Sequence, residues 1–250
     1  MQKKLLEQLE WDVLIILDAW RFDYAGQYFR RFIFDCVNSG ASCTTEWLKK
    51  TWDGKYDYTY VSGNPFVNNS KNPITDYYNF IARDHFTNII DAWSEVDNFG
   101  RTKPQVVAEL ATKSLYDKDK TIVHFLQPHA PYLFDNITKD WRYYTKKFMP
   151  KKLIDKVYGV LPGTTKQKMS LEMSYLKHYS LDQIKKAYCA NLYSVDIVIT
   201  PFVEKLLHKG FNVIITSDHA EYLGEYGKVG HGGEHTPLIT TVPFVYLEGN

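Results

Sequence analysis

Asn212-Val213-Ile214-Ile215-Thr216-Ser217-Asp218-His219 is a run of β-prone residues that ends in two metal-ligand types. Val213 to Ser217 predicts a buried strand, and the polar pair falls at its C-terminal end. Open α/β sheets bind ligands at that edge. A carboxylate beside an imidazole offers hard oxygen and borderline nitrogen, a donor pair suited to Zn, Mn or a similar divalent ion. Taken alone, Asp218 serves equally well as a helix N-cap followed by an incidental histidine.

A second run, Asp12-Val13-Leu14-Ile15-Ile16-Leu17-Asp18, has the same form: continuous aliphatic residues closed by an acid. It predicts a central strand buried on both faces. An acid directly after five buried aliphatic residues is costly without a cation, although a helix N-cap would also satisfy it. Thr121 to Leu126 predicts another buried strand, Tyr56 to Val61 an alternating one, and Val242 to Leu247 a further one. Helical spacing is read over Arg21 to Phe34, Thr45 to Thr51, Pro104 to Leu115 and Leu181 to Leu207. Pro201 is expected to kink the last, and Gly210 to cap it. Alternation of strands and helices predicts an α/β fold, a three-layer α/β/α sandwich around a mostly parallel sheet.

The chain has 250 residues, 44% hydrophobic, which suits one domain over 1–250 with a sizeable core. Formal net charge is +1, so no global attraction to nucleic acid follows. Three cysteines, Cys36, Cys43 and Cys189, form neither a disulfide framework nor a zinc knuckle pattern. No apolar stretch reaches membrane-span length and the N-terminus lacks a signal-peptide core, so a cytoplasmic protein is expected. Residues 137 to 186 carry 12 Lys+Arg against 4 Asp+Glu. They read as a helical basic insertion, about 137–180, either a solvated face or a lid attracting an anionic substrate.

Three further segments carry chemistry. Ser39-Gly40-Ala41-Ser42-Cys43-Thr44-Thr45-Glu46-Trp47 sets hydroxyls at a helix start, where the helix dipole favours an anion; a capping box with Glu46 accounts for the same residues. Gln127-Pro128-His129-Ala130-Pro131-Tyr132 holds His129 between prolines beyond a strand. Gly230-His231-Gly232-Gly233-Glu234-His235 lets backbone approach a ligand closely, or is a flexible loop with incidental histidines.

In order, Leu17-Asp18-Ala19-Trp20-Arg21-Phe22-Asp23, Thr44-Thr45-Glu46-Trp47, Gln127 to Tyr132, Thr216 to Glu221 and Gly230-His231-Gly232 resemble the alkaline phosphatase and sulfatase superfamily, in particular its short sulfatase-like members. The resemblance spans about 10 to 248. It implies that Asp18, Asp218 and His219 ligate one divalent ion (Zn, Mn, Mg or Ca). It implies Thr44 as nucleophile with its oxygen on that ion, and His129 as the residue that protonates the leaving oxygen. His231 is similar to a second-site ligand or an anion contact, and Asn64 to an amide donor for the transferring group. Cys43-Thr44-Thr45-Glu46-Trp47 departs from the Cys/Ser-x-Pro-x-Arg motif that gives formylglycine in sulfatases. A threonine nucleophile is closer to phosphodiesterases and to phosphoethanolamine or phosphoglycerol transferases. No Asp-x-x-x-His precedes Asp218 to complete a second metal set. The expected activity is therefore metal-dependent hydrolysis or transfer of a phosphate or sulfate ester, on an anionic small molecule or a glycan- or lipid-type ester. The alternative is a non-catalytic anion- or partner-binding module on the same fold.

Overall fold

A computed structural model describes residues 1–69, 80–95, 102–115, 120–130, 132 and 179–250. The expected basic insertion at about 137–180 lies almost wholly outside these residues.

The core is a seven-stranded sheet. Its strands are β1 (Val13–Leu17), β2 (Asp35–Asn38), β3 (Tyr56–Ser62), β4 (Phe86–Ile90), β5 (Thr121–Phe125), β6 (Val213–Thr216) and β9 (Thr241–Leu247), in the order β2-β9-β6-β1-β5-β3-β4. A separate ribbon pairs β7 (Tyr222–Leu223) with β8 (Val229–Gly230). β6, β1, β5, β3 and β4 run parallel, whereas β9 and β2 add antiparallel at one edge. The sheet is thus mostly parallel, as the alternating elements require.

Each face of the sheet is covered. Val13, Ile15 and Leu17 point into one core, where Val107 and Ala111 of α4 (Pro104–Ser114) meet Tyr188, Leu192, Val195 and Ile199 of α5 (Leu181–Leu207). Leu14 and Ile16 point into the other, with Leu6 of α1 (Gln2–Gln8) and Trp47 and Leu48 of α3 (Thr44–Thr51). Period-two alternation within one aliphatic run thereby feeds two cores, and every residue of β1 is buried. Pro201 lies within the continuous helix Leu181–Leu207, and Gly210 adopts φ +78 just beyond its His208 cap.

The structure departs from expectation between Arg21 and Phe34. Only Phe22–Ala25 (α2) is helical, and Phe29 sits at φ +49, which ends any helical path. Phe29 and Phe34 instead turn inward onto Trp20, at ring-centroid distances of 4.8 and 5.0 Å. Burying three aromatic rings outweighs local helical spacing. The chain then enters β2, which pairs with β9 as an edge strand.

β1 lies between β5, reached after the chain has built one side of the sheet, and β6, which begins the other. The C-terminal ends of these three strands are therefore the switch point where such sheets bind ligands. Replacement of Ile15 by Ala, in the middle of β1, should cost about 3 kcal/mol in urea unfolding. Ile33→Ala, at a side chain 92% exposed, should change stability by less than about 0.5 kcal/mol.

Candidate metal centre and active site

Parallel register sets the row of functional groups. Leu17 pairs with Phe125 and Ile16 with Thr216, so Asp18 leaves β1 level with the residues that follow β5 and β6. Ala19 then takes a left-handed conformation at φ +60, rare for a residue with a Cβ. This tight reversal lets Ala19 N–H donate to Asp218 Oδ1 at 3.2 Å and Trp20 N–H donate to Ser217 Oγ at 2.9 Å. The two acid-bearing strand ends are thus stitched through backbone N–H groups.

Asp18, Asp218 and His219 are buried, and one ligand atom from each lies within 4.8 Å of the others. His219 Nδ1 is 3.0 Å from the Ala220 carbonyl oxygen, which can only accept, so Nδ1 carries the proton. The Nε2 lone pair then faces Asp218 Oδ2 at 3.4 Å, Asp18 Oδ1 at 3.5 Å and Thr44 Oγ1 at 3.3 Å. Burial pushes the His219 imidazole down to about 3, so it stays neutral. A neutral lone pair and two carboxylates pointing at one another repel in a buried site. A divalent cation removes that conflict, and the donor types suit one. Donor separations near 3.4 Å also match the edge of a tetrahedron with bonds of about 2.1 Å. The residues present fit a metal ion.

Thr44 is the first residue of α3, where the partial positive charge of a helix start favours an anion. Cys43 occupies the N-cap without a side-chain cap bond. Glu46 reaches back instead, accepting from Ser42 N–H at 2.8 Å and Ser42 Oγ at 3.1 Å. Partial burial would raise the Glu46 carboxyl; hydrogen bonds from Lys50, Ser42 and His235 outweigh this and hold it at about 2. The capping role expected of Glu46 is therefore met one residue before the cap, and the Thr44 hydroxyl is left to the site.

Asn64 follows β3 and donates through Nδ2 to Asp18 Oδ2 at 2.5 Å, with Thr44 Oγ1 3.4 Å away. This bond orients the Asp18 carboxylate so that Oδ1 faces His219 Nε2 at 3.5 Å. His129 N–H donates to the Asp18 carbonyl at 3.1 Å, and Asn191 of α5 donates to the Pro128 and His129 carbonyls at 3.2 and 3.1 Å. The His129 loop is thus tied to both β1 and α5. His129 Nε2 lies 2.9 Å from His231 Nε2, and the His231 ring rests 4.1 Å from the His219 ring. Gly230 and Gly232, at φ +85 and +104, make the turns on either side of His231. Among the described residues, the converging ligand cluster contains Asp18, Asp218 and His219; His231 stands beside it.

His124, within β5, was not singled out from the sequence. It is fully buried, its Nδ1 lies 2.8 Å from Tyr60 Oη, and its Nε2 lies 3.9 Å from Asp18 Oδ2. Burial lowers its pKa to about 4. A histidine interrupting an aliphatic strand next to an acid-ended one was the available signal.

A family model for sulfatases matches residues 34–247. The chain belongs to the sulfatase family, a class of ester-acting enzymes, although the matched span begins after Asp18. Among curated proteins, none matches. Solved structures with a similar fold include the C-terminal periplasmic domain of phosphoethanolamine transferase EptC from Campylobacter jejuni. It is 14% identical, with 95% of this chain and 78% of that one covered and a TM-score of 0.53. The integral membrane protein lipooligosaccharide phosphoethanolamine transferase A from Neisseria meningitidis is 16% identical over 95% of this chain and 47% of that one, with a TM-score of 0.57. A phosphonate monoester hydrolase from Silicibacter pomeroyi is 12% identical over 94% and 67%, with a TM-score of 0.50. At these identities the likeness is one of fold.

These findings correct the expected cytoplasmic location. The same fold forms a periplasmic domain in one relative and part of an integral membrane protein in another. An apolar anchor or export signal is a separate segment, so a domain without one carries no address of its own. No helix among the described residues is long and apolar enough to cross a membrane.

Two buried histidines with lowered pKa values give the metal-free protein a defined acid response. Each unfolded imidazole binds a proton near pH 6.5, whereas the folded one does so only near 4 (His124) or 3 (His219). The unfolded state binds more protons in that window, so stability falls as pH drops from about 6.5 toward 4. Between pH 7 and 5 the loss should be about 2 kcal/mol per imidazole. Urea midpoints of chelator-treated protein should show it, and His124→Gln should flatten the dependence by about half.

Proposed function

We propose that the protein is a metal-dependent hydrolase or transferase of phosphate esters with Thr44 as nucleophile. The observation that carries this is the buried Thr44 hydroxyl at the start of α3, 3.3 Å from His219 Nε2 beside the Asp18–Asp218 pair. The proposal treats residues 1–250 as one domain, supported by a single sheet that draws strands from Val13 to Leu247.

Asp18, Asp218 and His219 would hold the ion, with Thr44 Oγ1 as a fourth donor. When bound, a divalent ion lowers the pKa of a coordinated hydroxyl and neutralises charge on a non-bridging ester oxygen. The protein's own groups do the rest. Thr44 passes its proton to a water molecule, and its oxygen forms a new P–O bond as the bond from phosphorus to the in-line ester oxygen breaks. Asn64 Nδ2, which donates to Asp18 Oδ2 and lies 3.4 Å from Thr44 Oγ1, would give its second N–H to an oxygen of the transferring group. The departing alkoxide takes a proton from His129. His129 Nδ1 faces the Ala130 carbonyl at 2.5 Å and so carries one proton; the proton given to the alkoxide is a second one, on Nε2 of the imidazolium, on the 2.9 Å line it shares with His231. A water or alcohol hydroxyl then displaces Thr44 from phosphorus. In-line transfer of this kind depends mainly on positioning and charge stabilisation.

Phosphate is favoured over sulfate because Cys43 to Trp47 lacks the proline and arginine of the formylglycine motif. The names of similar structures, phosphoethanolamine transferases and a phosphonate monoester hydrolase, point the same way. The substrate proposed is an anionic ester of small-molecule, glycan or lipid type.

Zn- or Mn-replete enzyme assayed on aryl phosphodiesters, phosphomonoesters and sulfate esters tests the proposal. Thr44→Ala should lower kcat by about 10³-fold or more with its metal retained. Full activity in that variant would sink the nucleophile assignment, and metal without turnover in the wild type would favour a binding module. His129→Ala should slow alkyl esters far more than p-nitrophenyl esters, whose leaving group needs little protonation. Equal slowing of both would remove His129 as the acid.

A further inference from the structure

Gln2 opens α1 and is fully buried, although its side chain is polar and uncharged. Its Nε2 donates to Thr216 Oγ1 at 2.8 Å and to the Ser217 carbonyl at 2.7 Å. Its Oε1 accepts from Trp47 Nε1–H at 2.7 Å. A carbonyl oxygen can only accept and an indole N–H can only donate, so the amide has one orientation that satisfies every partner. Thr216 in turn donates to the Pro243 carbonyl at 2.6 Å, which completes the network. Buried polar networks with every member satisfied hold their parts rigidly.

The partners belong to the two limbs of the site. Thr216 and Ser217 end β6 and lead directly into Asp218 and His219. Trp47 belongs to α3, one turn beyond Thr44, and its ring stands edge-on to His124 at 6.3 Å. Those limbs are about 170 residues apart in sequence, and the amide of Gln2 bridges them.

We infer that Gln2 is a positioning residue for the site: its buried amide holds the end of β6 and the start of α3 at one spacing. It thereby sets the distance between the Asp218–His219 donors and the Thr44 oxygen. The role presupposes the metal and nucleophile assignments proposed above. Outer groups that orient metal ligands are worth about 10–100-fold in affinity, and a displacement of about 1 Å at a reacting group can cost about 100-fold in rate.

Gln2→Met keeps side-chain length and removes all three hydrogen bonds. Trp47→Phe removes only the bond on the α3 limb. Affinity for Zn²⁺ alone is measured by competition with a chelating dye, and kcat and KM with an aryl phosphodiester at saturating Zn²⁺. Gln2→Met should bind Zn²⁺ about tenfold more weakly and lose about tenfold in kcat, with KM changed less than about twofold. Trp47→Phe should retain Zn²⁺ affinity and lose kcat. A Gln2→Met protein with a lowered Tm but wild-type Zn²⁺ affinity and kcat would overturn the inference, since packing alone would then explain the residue. Should Gln2→Met fail to fold, wild-type kcat in Trp47→Phe overturns it equally. Asp218→Ala separates the two levels. If it loses Zn²⁺ while Gln2→Met keeps it, only the role of Gln2 falls. If Asp218→Ala binds Zn²⁺ like the wild type, the metal assignment falls and the inference with it.

Discussion

Two buried carboxylates and a neutral imidazole lone pair meet at the C-terminal edge of the sheet, and the surrounding structure is arranged around that electrostatic conflict. Asp18 Oδ1 and Asp218 Oδ2 lie buried at 3.5 and 3.4 Å from the His219 Nε2 lone pair. Leaving like charges this close and this buried would cost several kcal/mol without a cation. The fold nonetheless holds them there with specific devices. Ala19 accepts a left-handed backbone, Ser217 takes the Trp20 N–H, and the Ala220 carbonyl selects one tautomer of His219. Devices of this sort raise the cost of the empty arrangement and lower the reorganisation needed when an ion binds.

Rigidity around the site comes from both layers of helix. On one side α5 contributes Asn191 to the His129 loop, and Tyr188 Oη accepts from Arg21 N–H and donates to the Ala19 carbonyl. On the other side α3 supplies Thr44 and packs Trp47 beneath His124. Thr44 and the His129 loop, carried by opposite layers, are held in register because both layers pack on β1. The loop bearing His231 is flanked by Gly230 and Gly232. At its far end His235 Nε2 meets Glu46 Oε1 at 2.7 Å, a partly exposed hydrogen bond.

Much of this was legible in residue order. Unbroken aliphatic runs ending in Asp18 and before Asp218 demanded central parallel strands, because only a sheet covered on both faces buries such runs. Thr44 at a helix start and His129 between prolines were visible for the same local reasons. Where local signals misled, a tertiary reward was involved. Arg21 to Phe34 has helical spacing, yet its aromatic rings gain more by closing over Trp20. β4 and the edge strand β2 left no strong pattern, since their burial is uneven. The expectation of a cytoplasmic location drew on features that a domain does not itself contain.

By itself the sequence determined the fold class and the strand ends that carry the acids, because these depend on periodicity and on residue type; Thr44 as candidate nucleophile rested on the resemblance of its motif. Tertiary structure decided the order of strands, and hence that Asp18 and Asp218, 200 residues apart, lie side by side. It also decided the hydrogen bond that turns His219 Nε2 toward them, the approach of His124 to Asp18, and the burial of Gln2 between β6 and α3. Each of these is a relation between distant segments. Such relations arise only when loop closure brings the segments together and the buried polar groups must find partners where water is excluded.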